Sequence, residues 1–136
     1  IMSTNITIGT RFPAHDTSMG QVLLADLTPA ELDEYFATTA PLEQVTPHTL
    51  VSQDALRARL GEVRRRGWVI VDQELEIGLR SIAVPIRDRT GRAVAAINIS
   101  TQTSVYSTQD LTAQILPELL TTCAAISHDL TTTEIS

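Results

Sequence analysis

The groups in this sequence with chemistry of their own are three histidines, one cysteine and an alternating run of acids. His15, His48 and His128 lie far apart, and none has a second ligand at metal-binding spacing, so no metal site is predicted. Cys123 has no local histidine to activate it and falls on an apolar helical stripe, where packing is the commoner role. Asp72, Glu74 and Glu76 alternate and could include a paired acid and base, but an exposed acidic turn is the simpler reading. There is no phosphate-binding glycine loop, no His-Glu-x-x-His and no Cys-x-x-Cys. The chain therefore reads as a binding module rather than an enzyme, with no catalytic residue and no cofactor.

Recognition chemistry is better represented, on Ser81, Asn98 and Ser100. The elements that must position them are two alternating runs, residues 81–87 and 92–100, joined by Asp88-Arg89-Thr90-Gly91. Period-two alternation predicts a half-buried β-hairpin. With Arg87 set opposite Arg92, Ser81 falls opposite Asn98, Ala83 opposite Ala96 and Pro85 opposite Val94. One face then carries Ile82, Val84, Ile86, Ala95, Ile97 and Ile99, which is core. The other carries small or uncharged polar residues, including Ser81, Ala83, Ala96, Asn98 and Ser100, and lacks long charged side chains. Two structures suit such a face: a small-molecule pocket, or a helix packed closely on the small residues.

The 136 residues are enough for one domain with its own core, and 43% hydrophobic content with 4% aromatic makes that core aliphatic. A single cysteine excludes an internal disulfide and fits a reducing, cytoplasmic setting. No apolar run is long enough to span a membrane. The sequons at Asn5 and Asn98 are chance matches on this reading. Net charge is −6, which argues against gripping a phosphate backbone. Nine of the ten arginines nevertheless fall between Arg57 and Arg92, and there is no lysine. Such unevenness could guide an anionic ligand or simply cover a solvated helix face.

Residues 1–9 are β-branched and suggest a strand that starts inside a longer protein. After a loop to His15, Asp16 or Thr17 caps a helix running to Ala25, whose start is suited to a carboxylate. Thr28-Pro29-Ala30-Glu31 opens a short helix reaching Tyr35 or Phe36. Residues 38–51 read as loop. Ser52 caps a helix with Leu56, Leu60 and Val63 on one face, arginines in its second half and Gly67 at its left-handed end. Ser107 opens a long terminal helix that Pro117 kinks or divides, with residues 131–136 frayed.

Three stretches together resemble a known family. Residues 9–15 (GTRFPAH) with 17–25 (TSMGQVLLA), residues 72–88 (DQELEIGLRSIAVPIRD) and residues 95–100 (AAINIS) are similar to the ligand-sensing domain of IclR-type bacterial transcription regulators. The wording looks most like the branch controlling aromatic-acid breakdown through the β-ketoadipate pathway. The resemblance implies an α+β, GAF-like fold: a curved antiparallel sheet with helices on its faces and an effector pocket on one face. Carried over position by position, it implies effector contacts at Phe12, Ser18, Met19, Leu79, Ser81, Asn98 and Ser100.

Under this resemblance residues 1–136 form an effector-binding domain lacking its first helix and strand. The winged helix-turn-helix is absent, so DNA would be bound only through that missing N-terminal domain. Implied partners are a small aromatic or dicarboxylic acid and further copies of the chain, as a dimer or tetramer, with no membrane. Arg11 and Arg80 are candidate carboxylate partners, though either could pair with a neighbouring acid instead. The chain departs from the family in placing Ser18 and Met19 where glycine and alanine are common, which should narrow the pocket. It also has Val71 where many members have an acid. The alternative is an oligomerisation module with no small-molecule response.

Overall fold

In the computed structural model, which describes residues 6–133, a three-stranded antiparallel sheet stands between two helical layers. Its strands are β1 (Val69–Asp72), β2 (Leu79–Arg87) and β3 (Ala93–Gln102), in that order across the sheet. Alternation divides them between two cores. Val69, Val71 and Ala83 join one cluster with Val22, Phe36, Leu56 and Leu60, while Ile82 and Val84 join another with Leu111 and Leu119. Burial on both faces makes β2 the most enclosed strand, with Ile82, Ala83 and Val84 fully buried. This is the predicted α+β arrangement.

The predicted hairpin forms, with a different register. Ser81 pairs with Ser100, Ala83 with Asn98 and Pro85 with Ala96, and a bulge between Ile86 and Arg87 sets Arg87 opposite Ala93. The slip from the predicted pairing is two residues, an even number, so every side chain keeps its face. The loop explains the slip. Asp88 closes it through its carboxylate, which accepts from Thr90 N at 2.8 Å and Arg92 N at 3.2 Å, while Asp88 N donates to Arg92 O at 2.9 Å.

Helices α1 (Ser18–Leu24), α2 (Pro29–Thr39) and α3 (Gln53–Arg66) build the first layer. Thr28 forms the predicted capping box with Glu31, and α2 runs one turn beyond the predicted Tyr35 or Phe36. Ser52 caps α3, and Gly67 ends it at φ 84°, a left-handed conformation that suits glycine. α1 lies against β2 and β3. Its C-terminal end is fastened to the bulge: Asp26 takes Arg87 Nη1 at 2.8 Å and Ala93 N at 2.9 Å. Burial raises the Asp26 pKa, but the Ala93 N–H and Arg87 outweigh it and hold the carboxyl below its ordinary range.

The second layer is the C-terminal helix, in three pieces: α4 (Thr108–Asp110), a π-helical turn (Leu111–Ile115) and α5 (Leu116–Thr133). The wide turn lets Leu116 N reach Leu111 O immediately before Pro117, so the proline is absorbed at a junction. Cys123 sits in this layer's core with Sγ 2.7 Å from the Pro85 carbonyl, a packing role. α5 continues to Thr133, past the predicted fraying point. At the other end, residues 6–9 are not strand; Thr10 N folds back to Thr7 O at 3.1 Å, and residues 1–5 of the predicted strand lie outside the described residues.

Candidate functional site

The two alternatives read for the small-residue face divide it: one end is closely packed and the other borders a cavity. Over Ala83 and Ala96 the face is covered by the first core, to which α1 contributes Val22 and Leu24 and its C-cap adds Ala25. Beyond the start of that helix, over Ser81 and Ser100, a partly enclosed cavity of about 70 Å³ remains. One buried water needs roughly 10–15 Å³ of such space, so the cavity is several times larger than a water site. Its apolar wall is Phe12, Val71, Leu75 and Leu79, with Ile6 at one side; its polar groups are Asp16, Thr17, Ser18, Ser81 and Ser100.

Local chemistry fixes each wall. Ala14–Asp16 forms a single 3-10 turn, and Thr17 caps α1 by accepting from Gly20 N at 3.0 Å. The turn and helix meet at Gly20, where any Cβ would collide with the Ala14 carbonyl and lie 2.6 Å from Thr17 Oγ1. Since Thr17 does the capping, the Asp16 carboxylate is released from that role. Asp16 is fully buried, and among the described residues neither of its carboxylate oxygens has a hydrogen-bond partner; the hydroxyl of buried Ser18 has none either. Burial pushes the Asp16 carboxyl up to about 6, against the opposing effect of His15. Unpaired buried polar atoms are costly, and these three belong to two residues that line the one cavity.

Behind the cavity lies a satisfied polar network. Gln21 Nε2 donates to His15 O at 2.8 Å and to Glu74 Oε1 at 2.9 Å, while Arg59 Nη1 reaches Glu74 Oε2 at 2.9 Å and Gln21 Oε1 at 3.2 Å. Thr49 Oγ1 donates to Glu74 O at 2.6 Å, and Thr46 Oγ1 to Gln73 O at 2.6 Å. Gln73 adopts φ 61°, and its side chain accepts from Gly78 N at 3.0 Å, fixing the turn that presents Leu75 to the cavity. The predicted exposed acidic turn is therefore corrected. Glu74 is 3% exposed and serves as the hub joining α1, α3 and the turn after β1, while Asp72 pairs with Arg80.

Of the residues singled out by resemblance, Phe12, Ser18, Leu79, Ser81 and Ser100 line the cavity together. Asn98 lies on the same face without lining it, and its Nδ2 donates to Ser100 Oγ at 3.2 Å. Met19 is 39% exposed and does not line the cavity either, so it does not narrow it. Arg11 is exposed and also outside the lining. Arg80 points to the opposite side of the sheet from Ser81, as strand alternation requires. Its guanidinium grips Asp72 through Nε at 3.0 Å and Nη2 at 3.2 Å, and Nη1 donates to Tyr106 O at 2.6 Å. No arginine lines the cavity.

Asp16 is the lining residue whose role the sequence concealed. One signal pointed to it: Asp16 and Thr17 compete for a single cap, so one of the two must find other company. Among the described residues, no three histidine, cysteine or acidic side chains converge to hold a metal. No described helix is long and apolar enough to cross a membrane.

A sheet sandwiched by helices, with a cavity at one end of its small-residue face, is the α+β arrangement that the sequence resemblance implied. The family model described as bacterial transcriptional regulator IclR C-terminal matches residues 1–128, and the chain belongs to this family. It is 42% identical over 130 residues to the Pca regulon regulatory protein of Pseudomonas putida, covering 96% of this chain and 44% of that protein. It is 36% identical to the p-hydroxybenzoate hydroxylase transcriptional activator of Acinetobacter baylyi, covering 85% of this chain and 42% of that protein. A double mutant of the PobR inducer-binding domain from Acinetobacter, in complex with 3-hydroxybenzoic acid, superposes with a TM-score of 0.84. That match has 33% identity and covers 89% of this chain and 69% of the other. The chain spans less than half the length of these two curated relatives.

Proposed function

We propose that this chain is the effector-sensing domain of a transcription regulator and binds a small aromatic or dicarboxylic acid to control aromatic-acid catabolic genes. The observation that carries this reading is the cavity over Ser81 and Ser100, whose lining includes Asp16 and Ser18, two buried residues with unpartnered polar atoms. Such a site is apolar on most of its wall and has a few convergent polar groups, the usual make-up of a small-ligand pocket. Relatives named for the pca regulon and for p-hydroxybenzoate hydroxylase support the aromatic-acid assignment.

The effector is bound without chemical change. It acts by binding two arrangements of the regulator unequally, since only differential affinity shifts an equilibrium. DNA contact belongs to a winged helix-turn-helix outside these 136 residues, and the working regulator is a homo-oligomer, a dimer or tetramer, in the cytoplasm. Calorimetric titration with protocatechuate, 4-hydroxybenzoate, β-ketoadipate and succinate tests the proposal. Saturable heat from at least one acid, lost on filling the cavity by Ser81→Phe, is the expected result. Heat from none of them would leave the oligomerisation role as the better reading.

A further inference from the structure

Granting that the cavity is an effector site, Asp16 constrains which end of which acid enters it. Asp16 is among the residues lining the cavity and is fully buried, and among the described residues neither carboxylate oxygen accepts a well-formed hydrogen bond, its own backbone N–H being the donor close enough to lower its pKa. Apart from the Ser18 hydroxyl, which has no partner among the described residues, the neighbouring side-chain and helix donors are committed elsewhere. The Gly20 N–H goes to Thr17, the Gln21 amide to His15 O and Glu74, and Arg59 to Glu74 and Gln21. His15 turns its Nε2 to the Glu43 carbonyl at 2.8 Å. The titratable groups whose fields reach Asp16 are His15, Glu43 and Glu74, two of them acids. Among the described residues, no arginine or lysine lines the cavity.

We propose that Asp16 is a specificity-determining residue, which takes a hydrogen bond from a ligand hydroxyl at the buried end and rejects a ligand bringing a second carboxylate there. A hydroxyl supplies the donor that the buried acid lacks, and a hydrogen bond to a charged group is about twice as strong as a neutral one. A second carboxylate would add like charge in a water-poor site without a cation to offset it. A bare ring edge leaves the Asp16 oxygens unpaired. Of the two acid classes in the proposed function, the geometry thus favours hydroxylated aromatic acids over dicarboxylates.

A matched series on one ring tests this: benzoate, 3- and 4-hydroxybenzoate, and terephthalate, titrated calorimetrically into the chain at pH 7.5. The better hydroxybenzoate should bind at least tenfold tighter than benzoate, with terephthalate the weakest. Asp16→Ala should bring hydroxybenzoate and benzoate within about threefold of each other. Asp16→Asn, which keeps an acceptor but no charge, should retain the hydroxyl preference and admit terephthalate. Equal binding of benzoate and hydroxybenzoate by the unsubstituted chain would overturn the assignment even if neither variant folds, as would an unchanged ratio in a folded Asp16→Ala. Binding of β-ketoadipate or succinate with none of the benzoates overturns this assignment and leaves the effector site standing. If no acid in either series binds, both fall.

Discussion

Arg59 Nη1 lies 2.9 Å from Glu74 Oε2, and through Gln21 this ion pair supports the cavity from behind. The Glu74 side chain is 4% exposed and that of Arg59 25%, so the pair is mostly removed from water. Burying two charges costs nearly as much as their attraction returns, and such a pair shows its importance chiefly when half of it is taken away. Arg59→Met should destabilise the chain by about 3–5 kcal/mol, because it strands a buried carboxylate. Adding Glu74→Gln to that variant should recover part of the loss. Urea unfolding followed by circular dichroism gives both numbers; a loss under 1 kcal/mol for Arg59→Met alone would show that water reaches Glu74 freely.

Asp16 makes stability depend on pH in the opposite direction from an ordinary paired acid. Its folded pKa is raised from 3.8 to about 6, so the fold favours the neutral carboxyl. That contribution is complete below about pH 4 and is lost as pH rises through 6. Asp16→Asn is neutral throughout. Without ligand it should exceed the unsubstituted chain in stability at pH 7.5 by up to roughly 3 kcal/mol, the gap closing towards pH 4. Thermal melts across that range measure it, and a gap that does not change with pH would mean that Asp16 is ionised at no cost.

Gly20 is the contact point between the helix and the turn that carries Asp16. A methyl group there meets the Ala14 carbonyl, which is backbone and cannot swing aside. Gly20→Ala should cost about 1–3 kcal/mol, the usual range for overpacking, despite the better helix propensity of alanine. It should also weaken acid binding by displacing the Ala14–Asp16 turn. Gly61→Ala, on α3 with open space at its Cβ, is the control and should be neutral or stabilising.

The hairpin faces, the three caps at Thr28, Ser52 and Ser107, and the arginine-rich end of α3 were legible because each depends on nearest neighbours in sequence. The register was not, since Asp88 closes the loop with its side chain and the bulge at Arg87 is anchored by Asp26, 61 residues earlier. Glu74 was misread for the same reason: its partners Gln21 and Arg59 come from distant segments. Within the cavity, Ser81 and Ser100 followed from alternation alone. Leu75 did not, because its inward placement is set by the turn that Gln73, Thr46 and Thr49 hold, and Val71 did not, because it needed the pairing of β1 with β2 that sets it beside Ser81.

On β2, Ser81 floors the cavity and Ala83, two residues on, is buried in the core to which α1 contributes. Ligand choice and structural integrity are thereby assigned to separate rungs of one ladder. Under the proposed function, substitutions at Ser81 or at its cross-strand partner Ser100 should retune which acid is recognised while the helix keeps its seat on Ala83 and Ala96. A scaffold divided in this way can diversify its chemical vocabulary without refolding.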